Sequence, residues 1–277
     1  MLEPSLLWLE VTNRCNGNCV YCARQYVGEL HDMDFDLYKK IIDSCPSTKT
    51  VQTSGFGEPL LYPHIVEAVA YASRKKKHVR FVTNASLLNK DLALQLLQAG
   101  LGEIRFSVDE CTRDGYESLR RGLKWKTVLD NIIIFEHLND KGGYGVKTLI
   151  RITKTKENSP RIPKIVAFWE RFVSHVSVKS EVFIAPPNLL QKNRFTSGPP
   201  IDCYRVKEHL SVKNDGTAIL CCRDWFAVYP MGNLNSEHAL EVFNGETFSK
   251  TRKSLRTGND YPTICGYCKS SPRIQQR

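Results

Sequence analysis

Residues 9–25, LEVTNRCNGNCVYCARQ, carry three cysteines within eight residues. Cys15, Cys19 and Cys22 are spaced CxxxCxxC and follow an apolar run, residues 6–11, that predicts a strand. Thiolates bind soft or borderline metals, and short spacings let one loop supply several ligands. Because zinc sites favour pairs such as CxxC…CxxC, three thiols leave one coordination position without a local protein ligand. The loop is therefore a candidate metal site, with a zinc loop or three unconnected buried cysteines as alternatives.

Beyond this loop, strand and helix patterns alternate along the chain. The predicted strands are residues 6–11, 50–53, 78–83, 103–108, 146–153 and 176–184, and the predicted helices are residues 35–44, 62–77, 89–99, 126–138 and 159–173. Repeated β-then-α passes imply parallel strands joined by right-handed crossovers. The fold class is therefore α/β, with a sheet that is open or a partial barrel. In both, active sites lie at the C-terminal ends of the strands, where the cysteine loop also lies.

Length and composition limit the classes of function. The 277 residues can form a barrel plus a smaller module. No run of 18 apolar residues predicts a membrane span, and no basic segment precedes an apolar stretch as in a secretory signal. We therefore expect a cytoplasmic protein, in which ten cysteines indicate metal ligation or catalysis rather than disulfides. A net charge of +10 permits attraction to anions, but we interpret it as a basic surface without a nucleic-acid partner.

The alternation stops at residues 185–200, and five of the ten cysteines lie beyond them. Two Pro-Pro pairs bracket a polar stretch there, which we interpret as a linker or a substrate loop. Asp215-Gly216 then predicts a hairpin between two apolar runs. We predict a barrel over residues 1–185, the linker or loop over 186–200, and a small C-terminal domain over 201–277.

The CxxxCxxC loop after a first strand resembles the signature of the radical S-adenosylmethionine (SAM) superfamily. The resemblance implies a partial (β/α)6 barrel and a [4Fe–4S] cluster on Cys15, Cys19 and Cys22, with one open iron chelated by the amino and carboxylate groups of SAM. It also implies a place near the adenine for Tyr21, which directly precedes Cys22.

Three further segments resemble motifs of the same family. GFGEP, after the second strand, resembles the GGEP segment that holds the SAM amino group, although Phe56 interrupts its glycines. Thr83-Asn84 and Ser107-Val108-Asp109 resemble strand ends that contact SAM, with Ala85 in place of the usual Gly. Arg120-Arg121-Gly122 resembles a stretch whose Arg contacts the SAM carboxylate, and either Arg could do so, with Arg151 as a competitor. The cofactor-binding residues implied are Tyr21, Gly55, Gly57, Glu58, Asn84, Ser107, Asp109, Arg120 and Arg121.

The downstream cysteines resemble the SPASM/twitch extensions of radical SAM enzymes. Those extensions contain a Cys, a hairpin, a second Cys, a G-N-L turn, a helix and a CxxC. The resemblance implies the short twitch form, a β-hairpin plus a helix, and a second [4Fe–4S] cluster. Its implied ligands are Cys203, Cys221, Cys265 and Cys268, with Cys222 as a possible replacement for Cys221. A structural zinc site is the alternative, since zinc also accepts four thiolates.

The resemblance further implies reductive cleavage of SAM to a 5′-deoxyadenosyl radical that takes hydrogen from a substrate. The compact layout is closest to dehydrogenases of aminocyclitol and aminosugar antibiotic pathways, which oxidise a secondary alcohol to a ketone. We therefore expect a polar small-molecule substrate and a flavodoxin or ferredoxin as electron donor. The alternatives are a peptide-modifying maturase and, from another class, a zinc-binding scaffold protein. The sequence assigns no catalytic base.

Overall fold

A computed structural model describes residues 1–180 and 195–269. Its strands are β1 Leu6–Leu9, β2 Asn18–Cys19, β3 Thr50–Thr53, β4 His78–Thr83, β5 Glu103–Ser107, β6 Arg120–Arg121, β7 Lys147–Lys154, β8 Val176–Ser180, β9 Phe195–Thr196, β10 His209–Val212, β11 Thr217–Ile219, β12 Pro230–Asn233 and β13 Tyr261–Pro262. Its helices are α1 Phe35–Ser44, α2 Ile65–Arg74, α3 Lys90–Gln98, α4 Arg113–Leu119, α5 Trp125–Gly142, α6 Ile162–Trp169, α7 Tyr204–Glu208, α8 Ala239–Asn244, α9 Glu246–Thr257 and α10 Thr263–Lys269. Across these described ranges, every helix is too short or too polar to span a bilayer.

The chain forms two compact units, and each combines segments that are distant in sequence. The barrel unit comprises residues 11–32 and 50–182, and the terminal unit comprises residues 1–10, 33–49 and 183–277. The first strand and the first helix thus group with the C-terminal segment. The sequence division at 1–185, 186–200 and 201–277 stays a prediction.

The barrel unit is built on a parallel sheet with strand order β3-β4-β5-β7-β8. Its register aligns apolar side chains across neighbouring strands, with Phe81 opposite Ile104 and Phe106 opposite Ile150. All four side chains are fully buried, which a strand covered on both faces requires. The predicted α/β class with parallel strands is therefore confirmed.

Helix boundaries in the barrel unit follow local capping chemistry. The Asn89 side chain accepts the Leu92 N–H at 2.9 Å and so begins α3 as predicted. Two predicted helices are shorter in the structure. The one expected over residues 62–77 spans only Ile65–Arg74, because a 3-10 turn at Pro59–Leu61 precedes it, and the one expected to reach residue 173 ends at Trp169. Sequence analysis missed α4 and the two-stranded ribbon of β2 with β6.

The terminal unit has its own strand order, β12-β11-β10-β1. β1 pairs in parallel with β10, and β10 and β11 form the predicted hairpin around Gly216, whose φ is +86°. The predicted G-N-L turn is wrong in part, since Gly232 and Asn233 lie inside β12 and pair with β11. Among the described residues beyond 200 there are four strands and four helices, which include the expected hairpin and the expected helix around residues 240–243. Most of the predicted linker, and the end of the strand predicted over 176–184, lie outside the described residues.

Candidate functional site

The cysteine loop, residues 11–32, is fixed at several points within the barrel unit. Cys19 lies in β2, directly opposite Arg120 in β6. Arg14 pairs with Asp32 and donates a hydrogen bond to the Leu61 carbonyl at 2.9 Å. These contacts hold both ends and the middle of the loop.

Each of the three thiols is partly exposed, and each has an N–H group directed at its sulfur. The Gly17 backbone N–H lies 3.4 Å from Cys15 Sγ, and the Arg24 backbone N–H lies 3.5 Å from Cys22 Sγ. Cys19 Sγ accepts from the Arg120 side chain at 3.8 Å. Because N–H donors stabilise negative charge on sulfur, this loop suits thiolate ligands of an iron–sulfur cluster.

The thiols of the loop have the chemistry that cluster binding requires. Burial raises the pKa of the Cys15 thiol to about 11, so this thiol loses a proton when it becomes a metal ligand. Within residues 1–180 and 195–269, no three His, Cys, Asp or Glu side chains converge closely enough to hold a metal ion. The donor set thus fits a cluster in chemistry.

The GFGEP segment packs against the backbone of the cysteine loop. A Cβ on Gly57 would lie 2.1 Å from the Thr12 carbonyl oxygen and 2.8 Å from the Arg14 carbonyl oxygen, so only glycine fits there. The Glu58 N–H donates to the same Arg14 carbonyl at 2.8 Å. Phe56, which interrupts the expected glycine pair, is buried in the core.

Glu58 presents a buried carboxylate that only neutral donors contact through hydrogen bonds. Thr83 Oγ1 donates to Oε1 at 2.6 Å and the Asn84 N–H donates to Oε2 at 2.7 Å. Burial raises the pKa of Glu58 to about 7, against the lowering effect of these donors. A carboxylate in this setting can pair with an ammonium group.

The segment after β4 also faces the cysteine loop. The Asn84 amide donates to the Asn16 side chain at 2.9 Å, and its oxygen accepts from Ser86. Ala85 has a φ of +61°, in the left-handed region. The family's glycine suits this conformation, and here alanine adopts it instead.

Asp109, Tyr21 and Arg120 contact one another at the end of β5. Arg120 Nε lies 2.7 Å from Asp109 Oδ2, and the Tyr21 hydroxyl donates to the same oxygen. The Thr153 N–H donates to Asp109 Oδ1 at 2.6 Å. The sequence analysis gave these three side chains separate contacts with SAM, whereas the structure joins them in one buried network.

Two of the remaining predicted SAM contacts lie on strands of different sheets, Ser107 in the parallel sheet and Arg121 in the β2–β6 ribbon. Ser107 in β5 is the register partner of Arg151 in β7, which was the competing candidate for the SAM carboxylate. Arg121 is exposed at the ribbon and lies opposite Asn18. The role of each residue toward SAM stays a prediction.

The second cysteine set lies within the terminal unit. Cys203 directly precedes α7, Cys221 follows β11, and Cys265 and Cys268 lie three residues apart on α10, hence on one face of that helix. Burial raises the pKa of Cys221 well above its ordinary value, and the neighbouring Cys222, Cys265 and Cys203 raise it further. Burial likewise raises the pKa of Cys265, with Cys203 and Cys268 as neighbours. Four soft thiols in one region suit an iron–sulfur cluster without an open position.

The neighbours of Cys221 and Cys222 differ. Cys221 interacts with two of the predicted ligands, Cys203 and Cys265, whereas Cys222 interacts with one of them, Cys268, and hydrogen-bonds to the Arg205 side chain. This arrangement favours Cys221 as the ligand.

Sequence reasoning missed two residues that shape this second set. Asp224 is buried and accepts the Val228 N–H at 2.9 Å and the Tyr229 N–H at 3.0 Å, so it holds the turn after the Cys-Cys pair. Arg205 brings a cation to Cys222. The only sequence signal for either residue was its position two residues after a cysteine.

Comparison with protein families gives two matches. A model described as the Radical SAM superfamily matches residues 9–153, more than half of the chain. A model described as an iron-sulfur cluster-binding domain, SPASM, matches residues 203–269.

Individual relatives are distant. A Pyrococcus furiosus protein, described as a tungsten-containing aldehyde ferredoxin oxidoreductase cofactor-modifying protein, is 28% identical over 167 residues, which are 58% of this chain and 47% of that protein. The chain spans less than half the length of three curated relatives that it matches.

Two solved structures match nearly the whole chain. BtrN in complex with AdoMet and 2-DOIA gives a TM-score of 0.62 at 19% identity, covering 93% of this chain and 89% of BtrN. Native anSMEcpe with bound AdoMet and Cp18Cys peptide gives a TM-score of 0.67 at 14% identity, covering 96% of this chain and 86% of that one. At these identities the likeness shows the fold alone, a partial barrel followed by a smaller cysteine-bearing domain.

Proposed function

The chain belongs to the radical SAM superfamily, and on that premise we propose that it is a dehydrogenase that oxidises a secondary alcohol of an aminocyclitol or sugar to a ketone. The observation that carries the proposal is the four-thiol set Cys203, Cys221, Cys265 and Cys268 in the terminal unit. A cluster bound by four thiolates has no open iron. Such a cluster can accept an electron but cannot bind substrate directly. Alcohol oxidation needs such an acceptor, since it removes two electrons from the substrate and a radical step removes only one.

The residues of the barrel unit fit the binding of SAM. The Glu58 carboxylate suits the amino group, and Asn84 beside it offers amide contacts to the rest of the cofactor. Cys15, Cys19 and Cys22 would hold the first cluster, which when loaded supplies the electron that cleaves SAM to methionine and a hydrogen-abstracting 5′-deoxyadenosyl radical. We propose flavodoxin or ferredoxin as the source of that electron.

The test is an anaerobic assay with candidate aminocyclitols deuterated at the carbinol carbon. We expect one SAM consumed, one 5′-deoxyadenosine released and one ketone formed per turnover. Deuterium should appear in the 5′-deoxyadenosine. Ketone formation without deuterium transfer would contradict the proposal.

A second candidate is modification of a peptide. The match to a structure with bound peptide over 96% of this chain favours it. Peptide modification replaces alcohol oxidation as the proposed function if no secondary alcohol transfers deuterium to 5′-deoxyadenosine and a deuterated peptide does.

A further inference from the structure

The β2–β6 ribbon determines which side chain stands opposite Cys19. Cys19 is the register partner of Arg120, and the Val20 N–H donates to the Leu119 carbonyl at 3.0 Å. Gly122 then turns the chain away with a φ of +83°, in the left-handed region. Backbone pairing alone therefore places Arg120 beside the middle thiol of the loop.

The Arg120 guanidinium bridges a carboxylate and that sulfur. Nε lies 2.7 Å from Asp109 Oδ2, and Nη1 donates to Cys19 Sγ at 3.8 Å. The Tyr21 ring centroid is 5.8 Å from the guanidinium carbon. Arg120 is 6% exposed and Asp109 is fully buried, so water screens neither charge effectively.

Asp109 is itself held in place from the sheet. The Thr153 N–H donates to Oδ1 at 2.6 Å, and the Asn158 amide donates to the Asp109 carbonyl at 3.0 Å. A guanidinium is planar and offers its donors in a fixed fork. Because the fork is rigid, the ion pair with Asp109 restricts the directions in which Nη1 can reach Cys19.

We propose that Arg120 is a positioning residue for Cys19, and that its charge raises the reduction potential of the cluster that the cysteine loop binds. A reduced cluster carries one more negative charge than an oxidised one. The Arg120 cation favours the reduced form and the Asp109 carboxylate opposes it, and the guanidinium has the larger effect on Cys19 because it contacts Sγ directly. A hydrogen bond to a ligating sulfur acts in the same direction. This role differs from the contact with the SAM carboxylate that the sequence suggested for Arg120.

The proposal rests on the proposed function only in requiring a cluster on the loop, and it does not depend on the substrate. It is tested with Arg120→Gln in the full-length chain that also carries Cys265→Ala and Cys268→Ala, so that one cluster is titrated. The matched control is Lys124→Gln, which removes the same unit charge from an exposed side chain four residues away. Electron paramagnetic resonance follows a redox titration without SAM, and equilibrium dialysis measures SAM affinity.

For Arg120→Gln we expect the ratio of reduced to oxidised cluster at a fixed potential to fall about tenfold, a shift of about 59 mV for one electron. SAM affinity should stay within about twofold of the parent, because the fork serves Asp109 and Cys19 rather than the cofactor. Lys124→Gln should change neither quantity. An unchanged ratio overturns the proposal. A loss of SAM affinity with an unchanged ratio would instead support the contact between Arg120 and the SAM carboxylate that the sequence suggested.

Arg120→Lys covers the case in which Arg120→Gln takes up no iron. Lysine keeps the charge but cannot reach Asp109 and Cys19 with one fork. A ratio below that of the parent, but above the tenfold fall expected for Arg120→Gln, supports the proposal, because the charge remains and the fork is lost. A parental ratio overturns the role of the fork in positioning Cys19 and leaves only the effect of the charge. If the parent chain binds no iron on the loop, both this proposal and the proposed function are rejected. If the alcohol assay fails but the expected redox shift is seen, only the proposed function is rejected.

Discussion

The two cysteine sets differ in how open they are. Cys15, Cys19 and Cys22 are all partly exposed on a loop. In the second set Cys203 and Cys268 are also partly exposed, but Cys221 and Cys265 are each only 7% exposed. Three thiols leave a coordination position to which a small molecule can bind, and four thiols fill every position. The proposed roles, catalysis at the first set and electron acceptance at the second, therefore depend on the number of thiols that each set supplies.

The largest effect is expected from removing the open set. Replacing Cys15, Cys19 and Cys22 by Ala should abolish SAM cleavage and reduce iron from about eight to about four atoms per chain, since each cube holds four. Iron and sulfide analysis, with chromatography of 5′-deoxyadenosine, measures both. Residual SAM cleavage in this variant would mean that the open set is not the catalytic one.

Removing two thiols of the closed set should separate SAM cleavage from product formation. With Cys265→Ala and Cys268→Ala, we expect about four irons, continued SAM cleavage and little ketone. Ketone formed at the wild-type rate would make the second cluster structural. Full zinc occupancy of this set in protein made anaerobically with ample iron would contradict the cluster assignment.

Gly57→Ala tests whether the cysteine loop depends on its close contact with Gly57. A Cβ would lie 2.1 Å from the Thr12 carbonyl oxygen, so the backbone of the cysteine loop must move. We expect a loss of about 1–3 kcal/mol in the free energy of unfolding. The loss of SAM affinity should be larger than the loss expected for Glu58→Gln. Gly28→Ala is the matched control, because a Cβ at Gly28 meets nothing within 4 Å. Equal effects of the two changes would contradict this account.

Glu58→Gln should lower SAM affinity at least tenfold, because a hydrogen bond to a charged group contributes about 1.5–3 kcal/mol. With its pKa raised to about 7, wild-type Glu58 is protonated below that pH, so the SAM affinity of the wild type should fall as pH drops through 7, while the affinity of the variant should not change.

The raised pKa of Glu58 also means that its protonation stabilises the fold. That contribution is complete below pH 4.5 and is lost as pH rises to about 7, so wild type should lose stability relative to the variant across this window. Parallel pH profiles of the two proteins would contradict the assignment.

The smallest effect is expected within the Cys-Cys pair. Cys222→Ser should leave iron at about eight atoms per chain, since this side chain faces Arg205, whereas Cys221→Ser should reduce it. The reverse result would exchange the two roles.

Sequence patterns predicted the elements whose signals are local. The Asn89 cap, the hairpin at Gly216 and the parallel strands of the barrel unit all depend on residues close in sequence, and the structure confirms them. The spacing of the cysteines is also a local signal, because one short loop can supply several metal ligands.

Features that depend on distant pairing were not predictable. Arg120 turns toward Cys19 because β6 pairs with β2, and those two residues are 101 positions apart. The grouping of β1 with the C-terminal segment depends on its parallel pairing with β10. Neither pairing leaves a periodic signal in one segment, so family motifs identified the residues of the network but not their contacts with one another.

The β2–β6 ribbon also determines when the cysteine loop can become ordered during synthesis. Joining residues 101 positions apart costs about 4 kcal/mol in loop-closure entropy, and the folded strands between them must offset it. At about 5–20 residues per second, Arg120 leaves the ribosome roughly 5–20 seconds after Cys19. During that interval the three thiols lack their partner strand, so they stay accessible to oxidants until β6 has been made.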